Sequence, residues 1–168
     1  MPEPETLKRA AEDKSEGKAA STQAGEFVRE EIEHVREGKH GARSTKQAIA
    51  IGLSKARRAG VKLPPPKGNG KEAVRQRAKS DSAAAKTVAK TAATGAKPSP
   101  TRSRSTLRAL RREGHEAASP AALARQAHAA AGRRSAAERS AAAKRAARTK
   151  GPAAREAAAR KAARTRAR

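Results

Sequence analysis

Ser44-Thr45-Lys46-Gln47-Ala48-Ile49-Ala50-Ile51-Gly52-Leu53-Ser54-Lys55-Ala56-Arg57-Arg58-Ala59-Gly60 holds the start, the apolar stripe and the stop of one helix. Ser44 can accept a hydrogen bond from a backbone N–H of the first turn while Gln47 reaches back, which makes a capping box. Ile49, Leu53 and Ala56 then share one face, and Gly60 supplies a C-terminal stop. Directly afterwards Pro64-Pro65-Pro66 forbids further helix and favours an extended polyproline segment.

Working back from Ser44, a second helix is predicted from Ser21-Thr22. Ala24, Val28, Ile32 and Val35, spaced by four, four and three, line one face. Glu26, Glu30 and Glu31 stand near its start, and Gly38 with Lys39 ends it. Phe27, the single aromatic residue, flanks the stripe. Nine of the fifteen Leu, Ile, Val and Phe residues lie between Phe27 and Leu63. Residues 21–63 are therefore expected to pack as a small helical hairpin, alone, as half of a homodimer, or against another protein.

Composition argues against a larger core. Of 168 residues 44 are Ala, while Leu, Ile, Val and Phe make up about 9% of the chain. Chains with less than roughly 20% of those residues and high net charge are expected to be disordered. The expected fold class is thus mostly α and largely disordered, with no large core. Residues 1–20 read as a flexible mixed-charge arm and 64–106 as a Pro/Gly/Ser/Lys-rich linker, with a helical patch from Lys71 to Ala93. Residues 107–168 read as a basic, Ala-rich tail. Helix is expected there from Leu107 to Glu113, again from Ser119-Pro120, and on to a break at Gly151-Pro152. Ala141–Lys150 recurs as Ala157–Arg166 with only Lys/Arg exchanges, a period of 16 residues.

Charge points to a partner. The chain carries 40 Lys or Arg against 16 Asp or Glu, net +24, divided as −3 over residues 1–40 and +27 over 41–168. Such a body seeks a polyanion. Nucleic acid is the expected partner, with duplex DNA favoured over RNA, because single-strand and many RNA modules need aromatic stacking platforms. The expected phosphate contacts are Lys46, Lys55, Arg57, Arg58, Arg102, Arg104, Arg133, Arg134, Arg139, Lys144, Arg145, Arg148, Lys150, Arg155, Arg160, Lys161, Arg164, Arg166 and Arg168. Gln and Asn are too scattered for bidentate base readout, so binding without sequence preference is expected. The acidic N-terminal arm is expected to compete for the tail. Membrane insertion is not expected, since Leu123 is the sole bulky apolar residue between Ala121 and Arg168. Met1-Pro2-Glu3-Pro4-Glu5 lacks the apolar stretch of a signal peptide, and cytoplasmic placement on the nucleoid is expected.

Two resemblances accompany this reading. The Ala, Lys and Arg-rich chain over about residues 67–168, with Ser99-Pro100-Thr101-Arg102 like the Ser-Pro turns of linker-histone tails, resembles bacterial histone-like proteins. That resemblance implies DNA coating and compaction, with minor-groove contact at the Ser-Pro turn. The stretch Ser44–Gly60, with its Lys-Gln-Ala-Ile-Ala-Ile-Gly-Leu-Ser core, resembles a module of short basic bacterial proteins of uncharacterised function and implies no activity.

Catalytic, cofactor and metal residues are not expected. His34, His40, His115 and His128 are scattered, and there is no Cys. Glu31-x-x-His34 has the i, i+3 spacing of a di-iron ligand pair, but a second copy and further carboxylates are missing. Gly68-Asn69-Gly70-Lys71 is too short for a phosphate loop. An RNA- or ribosome-associated protein is the second reading. A protein-interaction module at 21–63 with a tethering tail is the third.

Overall fold

The computed structural model describes residues 2–65, 72–94 and 99–166, the last two without the side chains of 86–94, 149 and 150. Pro66, Gly68-Asn69-Gly70-Lys71 and Arg168 lie outside the described residues. Among the described residues every regular element is helical. They are α1 (Pro4–Ser15), α2 (Ala20–Arg36), α3 (Thr45–Arg58), α4 (Glu72–Thr94), α5 (Pro100–Arg111), a 3-10 turn (Glu116–Ala118), α6 (Pro120–Gly132) and α7 (Ala136–Arg166). The chain divides into two units, Met1–Leu123 and Ala124–Arg168.

Helix α3 begins at Ser44, whose hydroxyl accepts from the Gln47 N–H at 3.2 Å, while Gln47 Oε1 accepts from the Arg43 N–H at 3.0 Å. It ends at Gly60, φ +94°, where Gly60 N–H donates to Arg57 O at 3.0 Å and Val61 N–H to Ala56 O at 3.0 Å. This is a Schellman closure, and its left-handed residue is one that only glycine adopts without strain. Helix α2 closes the same way at Gly38, with Lys39 N–H donating to His34 O at 3.0 Å. That turn sends the chain back beneath α2 and on to α3.

Helices α2 and α3 meet at Gly52. A Cβ added there would sit 2.7 Å from Val28 Cα and 3.0 Å from Phe27 O, so the two backbones are in direct contact. Small side chains make this possible on both sides of the crossing. One cluster gathers Ile32, Val35, Ala42, Ala48, Ala117 and Ala118, with Val28 and Leu123 against it. The other gathers Ala10, Ala24, Phe27 and Ala56, covered by Leu53, Val61 and Leu63. Phe27 therefore lies in the core rather than beside it.

The remaining elements of this unit add polar contacts to the small buried alanines they contribute. Thr6, Ala10 and Asp13 form the buried face of α1, whereas Leu7 on the same helix is exposed. Arg9 Nε reaches Glu26 Oε2 at 2.6 Å. On α4, Asp81 is buried and accepts from Ser54 at 2.8 Å and from Arg58 Nε at 3.0 Å. The 3-10 turn is held by Thr45 Oγ1 donating to Ala117 O at 2.6 Å and Arg36 Nε donating to Ala118 O at 2.9 Å. Gly41 and Ala42 N–H donate to Leu110 O and Gly114 O, both at 3.0 Å.

These observations overturn the largely disordered, core-less fold class. The 1–20 arm contains a docked helix, α4 and α5 occupy most of 64–106, and the tail is helical. The reason is that counting large aliphatic residues undervalues Ala. Buried Ala10, Ala24, Ala48, Ala56, Ala78, Ala117 and Ala118 let helices approach closely, and hydrogen-bonded polar side chains fill what apolar ones do not. The Ser99-Pro100-Thr101-Arg102 stretch, likened to a Ser-Pro turn, forms the start of α5, with Pro100 in the first turn, where its fixed φ suits a helix.

Candidate functional site

In the second unit, α7 starts with a second capping box. Glu138 N–H donates to Ser135 Oγ at 3.2 Å, and Ser135 N–H donates to Glu138 Oε2 at 2.9 Å. The Ser135 N–H holds the Glu138 carboxyl below its usual range. Gly151 breaks the helix with φ +69° and ψ 169°, followed by Pro152. Arg133, Arg134, Arg139, Lys144, Arg145, Arg148, Arg155, Arg160, Lys161, Arg164 and Arg166 are all exposed. They project around the helix rather than along one stripe, so α7 has no apolar face to bury. The Lys150 side chain and Arg168 lie outside the described residues.

In the first unit the expected phosphate contacts separate into two groups. Lys46, Arg102 and Arg104 are exposed. Lys55 is turned inward to carboxylates, Arg58 binds Asp81, and Arg57 is half-buried. Helix α5 adds Arg108 and Arg111, which fall four and seven residues after Arg104 and share its face. The sequence reading omitted those two, although their spacing alone would have found them. The acidic residues expected to compete for the tail are engaged inside this unit: Glu3 with Lys39, Asp13 with Lys18, Glu26 with Arg9, and Glu30 and Glu31 with Lys55.

The second constellation in this unit is buried. Glu30 and Glu31 are 2% and 0% exposed on α2, facing α3. Lys55 Nζ donates to Glu30 Oε1 at 3.0 Å and stands 2.8 Å from Glu31 Oε2, as an ion pair outside hydrogen-bond geometry. Glu30 also accepts from the Glu3 backbone N–H at 3.1 Å. Burial opposes ionisation of Glu30, but Lys55 and that N–H outweigh it and hold its carboxyl below the usual range. Burial likewise opposes the charge on Lys55, and Glu31 with Glu30 outweigh it and push its ammonium up.

Neither oxygen of Glu31 accepts a hydrogen bond. His40, brought back by the Gly38 turn, places Nε2 at 3.4 Å from Glu31 Oε1. Its Nδ1 lies 3.1 Å from Gly41 O, an atom that can only accept, so Nδ1 carries the proton. His34 stands edge-on to His40, ring centroids 6.0 Å apart, with Nε2 at 2.8 Å from Glu3 Oε1. Sequence spacing paired Glu31 with His34 but could not supply His40, which only the turn geometry brings in.

Neither a curated protein nor a solved structure matches this chain. No helix among the described residues is long and apolar enough to cross a membrane. The likeness that is found covers about a third of the chain and contains α2, α3 and the turn carrying His40: residues 13–67 match a family of unknown function, DUF6496.

Proposed function

We propose that the protein binds and compacts double-stranded DNA without sequence preference, by neutralising phosphates, as a histone-like component of a nucleoid. The observation that carries this reading is α7, whose described cations are exposed around the helix and stand among Ala, with Glu138 and Glu156 as its two acids. Each half of α7 runs about 22 Å at 1.5 Å per residue. Over that length a duplex presents about a dozen phosphates. Like charges four residues apart destabilise an isolated helix by tenths of a kcal/mol each. Phosphate relieves that repulsion and releases counterions, so helix and complex stabilise one another.

Two further observations favour duplex DNA over the alternatives. Phe27 is buried in the core, so no aromatic face is offered to an unstacked base. Interaction through residues 21–63 is disfavoured because α1, α4 and the 3-10 turn already cover that helix pair. The test is a salt titration of the intact chain on random duplex DNA. A log–log slope steeper than about −6 is expected, and one shallower than about −3 would refute phosphate neutralisation. Structured RNA that outcompetes the duplex at equal salt would transfer the reading to RNA.

A further inference from the structure

We propose that Glu31, His34 and His40 form a site for a single divalent transition-metal ion of the zinc class, which pins the turn after α2 to the helix it leaves. One ligand nitrogen or oxygen from each residue lies within 4.8 Å of the others. Three features point to a cation there rather than to an ordinary core contact.

Charge balance is the first. Two buried carboxylates, Glu30 and Glu31, face a single ammonium, and Lys55 gives its hydrogen bond to Glu30. Glu31 is left fully buried with Lys55 beside Oε2 as an ion pair but no hydrogen bond to either oxygen, and Oε1 has no cation except through His40, a costly arrangement for a charged group. Acceptor geometry is the second. In the neutral ring with its proton on Nδ1 toward Gly41 O, the Nε2 lone pair of His40 faces Glu31 Oε1 at 3.4 Å, a pair of acceptors that a cation between them would join. A metal with bonds of about 2.0–2.2 Å to tetrahedral ligands sets those ligands roughly 3.3–3.6 Å apart. The separation of His40 and Glu31 already fits, and His34 brings a ring nitrogen within 4.8 Å of both.

The third feature is the surrounding shell. A metal-bound histidine commonly gives its other N–H to a carbonyl or carboxylate, as His40 does to Gly41 O. Lys55 takes Glu31 Oε2 and leaves Oε1 for the ion. Glu3 Oε1, 2.8 Å from His34 Nε2, supplies a further carboxylate on the solvent side, where His34 is 13% exposed and an ion can enter. Two imidazoles and a carboxylate suit Zn²⁺, Co²⁺ or Ni²⁺ better than Mg²⁺ or Ca²⁺, which take oxygen ligands. This site is independent of the DNA reading.

The experiment titrates the chelator-treated full-length chain with Co²⁺ and then Zn²⁺. One equivalent of Co²⁺ should give the visible absorption of a low-coordinate site, and Zn²⁺ should displace it. H34Q and H40Q should each weaken Co²⁺ binding at least about tenfold, while H128Q leaves it unchanged, with helical circular dichroism confirming that each variant folds. A reading that needs no variant is histidine NMR: Zn²⁺ should move the ring signals of His34 and His40 and spare His128. Saturation should also raise the melting temperature of the wild-type chain by several degrees. A Kd weaker than about 0.1 mM, equal affinity in the H34Q/H40Q double variant, or unmoved His34 and His40 signals would each overturn the site.

Discussion

Gly52 shows how much of this fold depends on single positions. Gly to Ala in a helix interior ordinarily stabilises by about 0.5–1 kcal/mol. Here the new methyl would meet Val28 Cα and Phe27 O, backbone atoms that cannot rotate away. Overpacking of this kind costs about 1–3 kcal/mol, so G52A should lower the urea midpoint of the first unit without changing the m-value. The Glu30–Lys55 pair makes a second prediction, about pH. The Glu30 carboxyl is depressed in the folded state, so its contribution is complete above the ordinary value near 4.5 and disappears as pH falls through the folded value. Lys55 is raised, so its contribution is complete below 10.5 and disappears as pH climbs through the folded value. The urea midpoint should therefore fall on acidification from pH 6 to 3.5, and E30Q should reduce that fall. An unchanged acid response in E30Q would remove Glu30 from the account.

Helix ends obey the local rules that residues carry, and they were the most legible features. Ser44, Gly60 and Gly38 stop and start helices where their side chains and φ values demand. The Ser135-x-x-Glu138 box follows the same rule, although the basic, Ala-rich tail around it draws the eye to charge instead. Replacing an N-cap Ser with Ala costs about 1 kcal/mol, so S135A should speed amide exchange over 136–139, severalfold, and leave α3 unaffected. Which elements dock was far less legible. Helix α1 buries Thr6 and Asp13 and exposes Leu7, the inverse of a hydrophobic stripe, so periodicity gives no sign of its inner face. The same holds for α4, anchored by Asp81, and for the 3-10 turn, fastened by Thr45 and Arg36 to its carbonyl oxygens. Each of those contacts joins residues more than twenty positions apart, where spacing along the chain carries no information.

At the scale of the molecule, the question is which cations meet the duplex. Residues 124–168 carry 14 Lys or Arg against 2 Glu, half of the net charge, while α5 in the first unit offers Arg104, Arg108 and Arg111 on one face. Gln has nearly the helix propensity of Arg and Lys, so charge can be removed with little change in helicity. A variant with Arg139, Lys144, Arg145 and Arg148 all changed to Gln should flatten the salt slope by about 3–4, since each phosphate contact contributes about 0.9. Changing Arg104 and Arg108 to Gln should flatten it by about 2 if α5 also lies on the duplex, and by nothing if the second unit acts alone. The two variants differ in charge removed but share the same backbone and core. A quadruple variant with the wild-type slope would mean that α7, whatever its exposure, is not where the phosphates sit, and the cations of the packed first unit would have to account for binding instead.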